Sequence, residues 1–389
     1  MKKKLETVKL FLKETDLFLL ITCIVTSIFG FIVVCSATQY KLKPDEILSR
    51  DSIIMLLAIL IGIALCLFIS YFNYEVFTKF WILIGIVSLI SMILLFFIGD
   101  GPQSRPDVHT WIKFKFFSIQ PSEFVKIGFI ITFSVHLEKL KDKINHPISI
   151  LQLAVHALIP TLLVIKTGDM GSALVFLLIT VAMLFMAGVH WGYFLGGAGL
   201  VAAISPLIWM FMFSSIQKNR FLALIHPEQY PDIIYQQERC ITAIGAGGIS
   251  GQGLFHGAYS QAGYVPEAQN DMIFSVIAEE LGFIGSVVAL SLLAFIAIRT
   301  LMIGKKSREH STNLICCGIS AMLFGQVIIN IGMCLMLLPC IGITLPFFSA
   351  GGSSNLSVYI GIGLVLSIYR HNCDRGAEDV HIYDTLKSK

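Results

Sequence analysis

The chain of 389 residues is apolar and sparsely charged: 56% of its residues are hydrophobic, 14% are charged, and the mean hydropathy is +0.79. Soluble domains carry about 25% charged residues, so this composition excludes an ordinary soluble protein and indicates an integral membrane protein. The formal net charge is only +3 and no basic cluster is interleaved with aromatic residues, which argues against a nucleic-acid partner.

Apolar runs long enough to span a bilayer recur along the whole chain, and they predict an all-α polytopic membrane protein. The first run follows several lysines, as in a signal peptide, but its length favours an uncleaved first helix. The predicted helices, about ten in number, lie at residues 16–37, 52–72, 78–98, 121–137, 149–166, 172–188, 192–215, 271–299, 311–338 and 355–370.

Lysine and arginine are enriched in the connections on one side of this ten-helix arrangement. The positive-inside rule places that side in the cytoplasm, together with the N-terminal residues 1–15 and the tail 371–389. The opposite orientation is the less favoured alternative. No repeat or separate soluble domain is evident, so residues 1–389 are predicted to form a single membrane domain. The connections placed outside the cytoplasm are residues 99–120, 167–171, 216–270 and 339–354, of which 216–270, between helices seven and eight, is the largest.

Asp271 lies where the large polar loop ends and the eighth apolar run begins. A carboxylate at that boundary is either a helix cap, because helix N-termini favour Asp, or a functional group at the water–membrane boundary. The local sequence does not decide between the two. Glu279 and Glu280 lie two turns deeper in the apolar run, where carboxylates are costly and are expected to be functional or paired.

Glu123 and Lys126 are a second set of charges in an apolar run. The residues before them, Gln120 to Ser122, begin the fourth helix with an ordinary N-terminal signature that is structural on its own. The i,i+3 spacing places Glu123 and Lys126 on one helix face. They form either a self-neutralising pair or, as we favour, part of the lining of an outward-open polar cavity.

Glycine and proline mark three further segments outside the cytoplasm. Residues 245–253 lack the Gly-Lys-Ser/Thr of a phosphate loop, and we expect a close-packed loop whose backbone amides are candidates for an anion contact, flanked by Arg220 and Arg239. Residues 338–354 place prolines and glycines at membrane depth, which predicts non-helical backbone beside a cavity. Asp169 is expected to cap the helix that follows it.

The nine cysteines and ten histidines show no metal-ligand spacing, so the motifs predict no metal site. Most cysteines lie in apolar runs and are expected to be small core residues. Cys240 and Cys340 both fall in outward segments. A disulfide between them is compatible with the topology but does not follow from the sequence.

The order of short motifs along the chain resembles that of the SEDS family (shape, elongation, division and sporulation), which includes RodA, FtsW and SpoVE. Each motif is weak alone, but together they cover nearly the whole chain, and the stretches Gln120 to Glu123 and Asn330 to Met333 resemble RodA more than FtsW. The motifs are Trp111, Gln120-Pro121-Ser122-Glu123 with Lys126, Asp169-Met170-Gly171-Ser172, Arg220, Tyr235-Gln236, Gly247-Gly248, Pro266-Glu267, Asp271, Glu279-Glu280-Leu281-Gly282, Asn330-Ile331-Gly332-Met333, Leu345-Pro346-Phe347 and Ser349 to Ser354.

This resemblance implies a glycosyltransferase that polymerises lipid II, an undecaprenyl-diphosphate-linked disaccharide pentapeptide, into peptidoglycan at the outer face of the bacterial cytoplasmic membrane. It also implies a class B penicillin-binding protein as the partner that crosslinks the strands, in cell elongation or division. Asp271 matches the family's essential aspartate, and Glu123 and Lys126 match its cavity pair. The expected substrate-binding residues are Trp111, Arg220, Gln236, Arg239, Glu267 and Ser353.

The chemistry implied by the resemblance needs a base and a cation. We expect Asp271 to act as the general base for the acceptor hydroxyl, with Lys126, Arg220 or Arg239 at the departing diphosphate and Glu123 holding Lys126. A divalent cation, Mg²⁺ or Mn²⁺, is compatible with this chemistry, but the chain has no DxD motif. Arg239 stands where the family commonly has Ser, which leaves the phosphate contacts open.

Two other functions are weighed against this one. A lipid II flippase without chemistry also suits intramembrane charges and broken segments. Its difficulty is that the unusual residues cluster on one side of the membrane, whereas transport needs them along a path across it. A non-catalytic scaffold that recruits a transpeptidase is the other, and it gives no role to Asp271 or Lys126.

Overall fold

The computed structural model describes residues 14–387 except 102–107, 116, 212 and 308. This part of the chain is almost entirely helical, with 3₁₀ turns at Gln39–Lys41, Lys141–Lys143 and Pro227–Gln229 and one antiparallel pair, β1 (Ile112–Lys113) and β2 (Ser118–Ile119). Its α-helices are α1 (Leu17–Ala37), α2 (Arg50–Tyr71), α3 (Glu75–Lys79), α4 (Trp81–Ile98), α5 (Pro121–Leu140), α6 (Pro147–Lys166), α7 (Met170–Met186), α8 (Trp191–Phe211), α9 (Ser215–Ile225), α10 (Pro231–Gly247), α11 (Ala258–Gln261), α12 (Ile273–Lys306), α13 (His310–Cys334) and α14 (Gly352–Lys387).

A helix lies at each of the predicted positions, so the prediction of an all-α membrane protein is confirmed. Within the described ranges, 8 helices are long and apolar enough to cross a membrane. α7 has only 17 residues, and α5 carries charges at both ends; neither is among those 8. Ten crossings with both termini in the cytoplasm therefore stay a prediction, and most of the N-terminal segment 1–15 lies outside the described residues.

The predicted loop 216–270 is largely helical, since it contains α9, α10 and α11. α9 begins with a capping box in which Ser214 and Gln217 bond to each other's backbone amides. This signature of a helix start was present in the sequence. The preceding helix is described as far as Phe211, short of the predicted residue 215. At the other end of the chain, α14 continues to Lys387, past its predicted end at residue 370. We call the end of the helices that carries residues 216–270 the loop end.

The C-terminal helix α14 packs closely against α2, where a glycine faces it, and it is hydrogen-bonded to α1. A Cβ atom on Gly62 of α2 would lie 2.6 Å from the Tyr359 ring, and the Tyr359 hydroxyl lies 2.6 Å from the hydroxyl of Ser27 on α1. Lipid tails provide little hydrophobic drive for helix association, so close van der Waals contacts and interhelical hydrogen bonds of this kind hold the bundle together.

α12 is broken at Gly282, whose φ of 67° and ψ of −163° are essentially restricted to glycine. The glycine-rich segment 248–253 fills the break and satisfies the freed backbone groups. The hydrogen bonds across the break run from the amides of Gln252, Gly253, Phe283 and Ile284 to the carbonyls of Glu279 (3.0 Å), Glu280 (2.9 Å), Gly248 (2.9 Å) and Ile249 (3.2 Å), respectively. The prediction that amides of this segment contact an anion is therefore wrong for Gln252 and Gly253, because these amides donate to carbonyls at the break of α12.

The buried carboxylates of Glu279 and Glu280 bind the residues that follow this segment. The donors to Glu279 are the amides of Tyr259 (2.6 Å) and Ser260 (3.0 Å) and the Ser260 hydroxyl. The donors to Glu280 are the Ser36 hydroxyl (2.6 Å), the Phe255 amide (3.1 Å) and the Gln261 side chain (3.1 Å). Both glutamates thus have hydrogen-bond partners, and they fasten residues 255–261 to α1 and α12.

We expect Gly282→Ala to destabilise the protein, because a Cβ atom at this position would lie 2.3 Å from the Gly251 amide nitrogen. The strained backbone alone costs about 1–3 kcal/mol. Thermal unfolding of the purified protein in detergent measures the effect. Gly196→Ala is the control, since a Cβ atom there meets nothing within 4 Å. Equal unfolding temperatures for the two variants would mean that the break does not constrain the fold.

Candidate active site

Asp271 lies outside α12 and does not cap it. The helix begins at Ile273, its N-cap residue is Met272, and no side chain accepts a capping hydrogen bond. Among the described residues, none donates a hydrogen bond to the Asp271 carboxylate. The backbone carbonyl of Asp271, in contrast, accepts a 2.7 Å hydrogen bond from the side chain of Asn330. The helix-cap interpretation is therefore wrong, and the carboxylate is available for chemistry.

The surroundings of Asp271 bring the pKa of its carboxyl close to neutral pH. Desolvation raises its pKa to about 7, the nearby carboxylates of Glu267 and Asp169 add to the rise, and the Arg220 guanidinium opposes it. Gly342, in the loop between α13 and α14, forms one wall, since a Cβ atom there would lie 3.4 Å from Asp271 Oδ2. A carboxyl with such a pKa can accept a proton near physiological pH.

Asp169 is the second carboxylate of this region, and unlike Asp271 it is fully hydrogen-bonded. One oxygen caps α7 by accepting from the Ser172 amide at 2.9 Å, as predicted. The other accepts from the Gln120 side chain at 2.8 Å and from the Ser122 hydroxyl at 2.9 Å, at the start of α5. Asp169 thereby joins α7 to the first turn of α5, a role that we missed because a separation of 49 residues leaves no local signal.

Glu123 and Lys126 form an enclosed ion pair of 2.8 Å, with Lys126 0% and Glu123 3% exposed. The hydroxyl of Ser357 on α14 donates to the second Glu123 oxygen at 3.1 Å. The favoured prediction, a pair that lines an open cavity, is wrong for this structure, because α14 covers this face of α5. The self-neutralising pair is what the structure contains, and a catalytic role for either residue stays a prediction.

Arg220 and Gln236 converge on the loop between α13 and α14 at Cys340. Arg220 donates to the Cys340 carbonyl at 2.5 Å. Gln236 accepts from the Cys340 thiol at 3.6 Å and donates to the Pro266 carbonyl at 3.2 Å. Since Cys340 is two residues from Gly342, both predicted binding residues lie close to the Asp271 carboxylate.

Glu267 and Arg239 differ in their relation to this region. Glu267 is exposed, its carboxylate accepts from the Asn270 side chain at 2.9 Å, and its charge acts on Asp271. The Arg239 guanidinium lies over the Tyr235 ring at 4.9 Å. No contact among the described residues connects Arg239 with Asp271, so its predicted role in phosphate binding gains no support from position.

Ser353 and Trp111 have structural contacts near the start of α5. The Ser353 hydroxyl accepts from the Gln120 amide at 3.0 Å, which places it beside the side chain that binds Asp169. Trp111 pairs with Asp100 through backbone hydrogen bonds of 2.7 and 3.0 Å. Their predicted contacts with substrate stay predictions.

No three His, Cys, Asp or Glu side chains within the described ranges are arranged to hold a metal ion. Cys240 and Cys340 are free thiols in this structure. Burial raises the pKa of Cys340 to about 12, which makes this thiol a poor nucleophile at neutral pH.

We expect Glu123→Gln to destabilise the protein by about 3–5 kcal/mol, because it leaves the Lys126 charge buried without its partner. The double variant Glu123→Gln/Lys126→Met removes both charges at similar volume and should recover most of that loss. Chemical unfolding of the purified protein in detergent measures both effects. A double variant as unstable as the single one would indicate that packing, and not charge pairing, matters here.

The chain matches a known family over nearly its whole length. The model of the cell cycle protein family of FtsW, RodA and SpoVE matches residues 16–374. The probable peptidoglycan glycosyltransferase FtsW of Trichlorobacter lovleyi is 32% identical over 364 residues, which cover 92% of this chain and 93% of that protein. The peptidoglycan glycosyltransferase MrdB of Escherichia coli is 31% identical over 301 residues, or 77% of this chain and 79% of that protein.

Solved structures share the fold. A chain of a peptidoglycan synthase complex, described as coordinating polymerization and crosslinking, superposes with a TM-score of 0.79 at 25% identity and covers 92% of this chain and 98% of its own. The rod shape determining protein RodA of Thermus thermophilus has a TM-score of 0.68 at 23% identity and covers 92% of this chain and 97% of its own. This chain belongs to the FtsW, RodA and SpoVE family of cell cycle proteins.

Proposed function

We propose that this protein is a peptidoglycan glycosyltransferase that polymerises lipid II into glycan strands at the outer face of the bacterial cytoplasmic membrane. Its family supports this function, because relatives in two organisms carry the name peptidoglycan glycosyltransferase. The observation that carries the proposal is the Asp271 carboxylate, which has a pKa of about 7 and lies beside a guanidinium at the loop end. A non-catalytic scaffold has no need of such a base.

In the proposed reaction, Asp271 is the general base. Its carboxylate accepts the proton of the acceptor sugar's 4-hydroxyl while that oxygen attacks the anomeric carbon of the donor. The new carbon–oxygen bond forms as the bond to the diphosphate breaks, and the electron pair leaves with undecaprenyl diphosphate. Attack opposite the leaving group inverts the anomeric centre from α to β. A base with a pKa near the working pH combines a useful ionised fraction with proton affinity.

Arg220 is the best-placed cation for the departing diphosphate. It lies close enough to lower the pKa of Asp271, and its guanidinium can bind phosphate oxygens in a bidentate manner. Lys126 is fully enclosed, so it could reach the diphosphate only after a rearrangement of α5 and α14. The proposed reaction is written without a metal ion.

An apolar groove gives the polyprenyl tail a place to bind. It has a volume of about 560 Å³, lies between α4 and α5, and reaches Ile112 and Ile119 of the β1–β2 hairpin. Pro121 lines the same groove, and its neighbours Gln120 and Ser122 bind Asp169. The groove therefore reaches the first turn of α5, the same turn whose Gln120 and Ser122 side chains contact Asp169.

The proposed partner is a class B penicillin-binding protein that crosslinks the new strands. The similar solved chain comes from a complex that coordinates polymerization with crosslinking, which supports a partner of this kind. Relatives include both FtsW and a rod shape determining protein, so the proposal covers strand synthesis in elongation or in division. Membrane lipid surrounds the helices in this proposal, and both termini lie in the cytoplasm.

Asp271→Asn should reduce polymer formation by at least about 100-fold, because a general base contributes about 10²–10⁴-fold to rate. Labelled lipid II is incubated with purified protein and the candidate transpeptidase, and the products are separated by length. Asp100→Asn is the control, since this carboxylate is exposed and pairs with Lys113 at 2.9 Å; it should leave the rate unchanged.

Either of two results would contradict the proposal. Polymer from Asp271→Asn at the wild-type rate would keep the enzyme but remove Asp271 as its base. No polymer from the wild-type protein, with lipid II crossing liposome membranes instead, would favour the flippase.

The polymerisation rate should rise with pH through about 7, the pKa of Asp271, because only the ionised carboxylate accepts a proton. Arg220 lowers that pKa, so Arg220→Gln should raise it and move the rising limb to higher pH, whatever happens to the maximal rate. Arg220→Lys retains the charge and should leave the limb in place. A limb that stays fixed in Arg220→Gln would mean that another group sets the profile.

A further inference from the structure

Asn330 is a buried amide on α13 that the proposed reaction does not use directly. Its side chain is 0% exposed. The Nδ2 group donates hydrogen bonds of 2.7 Å to the backbone carbonyls of both Asp271 and Ile343, whereas Oδ1 has no hydrogen-bond partner among the described residues. One side chain thus joins the residue that carries the carboxylate to the loop between α13 and α14.

The loop residue next to Ile343 lies against the Asp271 carboxylate and forms a wall beside it. Gly342, which precedes Ile343, has a φ of 75°, and a Cβ atom on it would lie 3.4 Å from Asp271 Oδ2. Asn330 therefore holds both the Asp271 backbone and the chain that covers its carboxylate. Loss of either hydrogen bond would remove the direct side-chain bridge between the Asp271 backbone and the wall, which is how water would gain access to the carboxylate.

We propose that Asn330 is a positioning residue: it keeps the Asp271 carboxylate against the Gly342 wall, in a desolvated and fixed position. The part of this inference that concerns turnover rests on the function proposed above, and the part that concerns the Asp271 carboxyl does not.

The charged and titratable groups that act on Asp271 come from separate elements. They are Glu267 on its own segment, Asp169 before α7, Arg220 on α9, Cys334 at the end of α13 and Cys340 in the loop between α13 and α14. Asn330 is neutral, so its replacement by an apolar residue changes no charge. Its effect on Asp271 must come through position and water access, and water lowers the pKa of a desolvated carboxyl.

Gln237 provides a matched control on α10. It is also buried, at 2% exposure, and its Nε2 group also donates to two backbone carbonyls, those of Met333 at 2.7 Å and Leu338 at 2.8 Å. These carbonyls lie at the end of α13 and in the following loop, but neither hydrogen bond involves Asp271. Gln237 is therefore the same kind of clamp without the proposed connection to the base.

The first measurement does not depend on polymerase activity. Full-length wild type, Asn330→Leu and Gln237→Met are placed in lipid nanodiscs and labelled with a carbodiimide and an amine, which modify the protonated carboxyl, and Asp271 labelling is quantified by mass spectrometry against pH. We expect a wild-type midpoint near 7. Asn330→Leu should lower it by about one pH unit through hydration, and Gln237→Met should leave it unchanged. Asn330→Ser, which retains a donor, should give a smaller shift and replaces Asn330→Leu if that variant does not fold.

The second measurement is polymerisation of labelled lipid II by the same proteins. Asn330→Leu should reduce kcat by about 10- to 100-fold with little change in KM, because a displaced base loses its alignment, and the acid limb of its pH profile should move down with the labelling midpoint. Equal losses in both variants with unmoved midpoints would overturn the proposal and leave Asn330 with a purely structural role. A shifted midpoint in a protein whose wild type makes no polymer would support the positioning of Asp271 while refuting the glycosyltransferase.

Discussion

The loop end of the protein depends on the break of α12 at Gly282. A helix that breaks inside a bilayer frees backbone groups that hydrocarbon cannot satisfy, and each costs several kcal/mol if it stays without a partner. Residues 248–253 supply those partners, and the carboxylates of Glu279 and Glu280 bind the residues that follow. The large polar segment is therefore fastened to α12 at its break. The part of α12 before the break, residues 273–281, begins next to Asp271.

The acidic side chains inside the protein differ in whether they accept hydrogen bonds. Glu123, Glu279, Glu280 and Asp169 each accept hydrogen bonds from fixed donors, so they hold elements together. Asp271 receives none from the described residues, and desolvation raises its pKa. The proposed chemistry uses this difference, because a desolvated carboxylate without donors accepts a proton readily.

The site itself is assembled from segments that are far apart in the chain. Arg220 reaches the Cys340 carbonyl across 120 residues, and Asn330 bridges Asp271 and Ile343. The non-helical backbone between α13 and α14 is tolerated because these polar side chains satisfy it within the protein. The loop thereby becomes a wall of the site, with Gly342 leaving room for the carboxylate.

Run length and hydropathy in the sequence determined the positions of the membrane helices, because a bilayer imposes its thickness on any helix that spans it. The order of motifs, through its resemblance to a known family, pointed to Asp271 and Arg220. The sequence did not reveal that Glu123 and Lys126 are enclosed, that Gly248 to Gly253 serve a broken helix, or that Asn330 holds Asp271. A polar residue within an apolar run, as at Asn330, signals only that a partner exists. Which partner it meets depends on the packing of helices that are distant in the chain, and only the tertiary structure decides whether a buried carboxylate is hydrogen-bonded or left as a base.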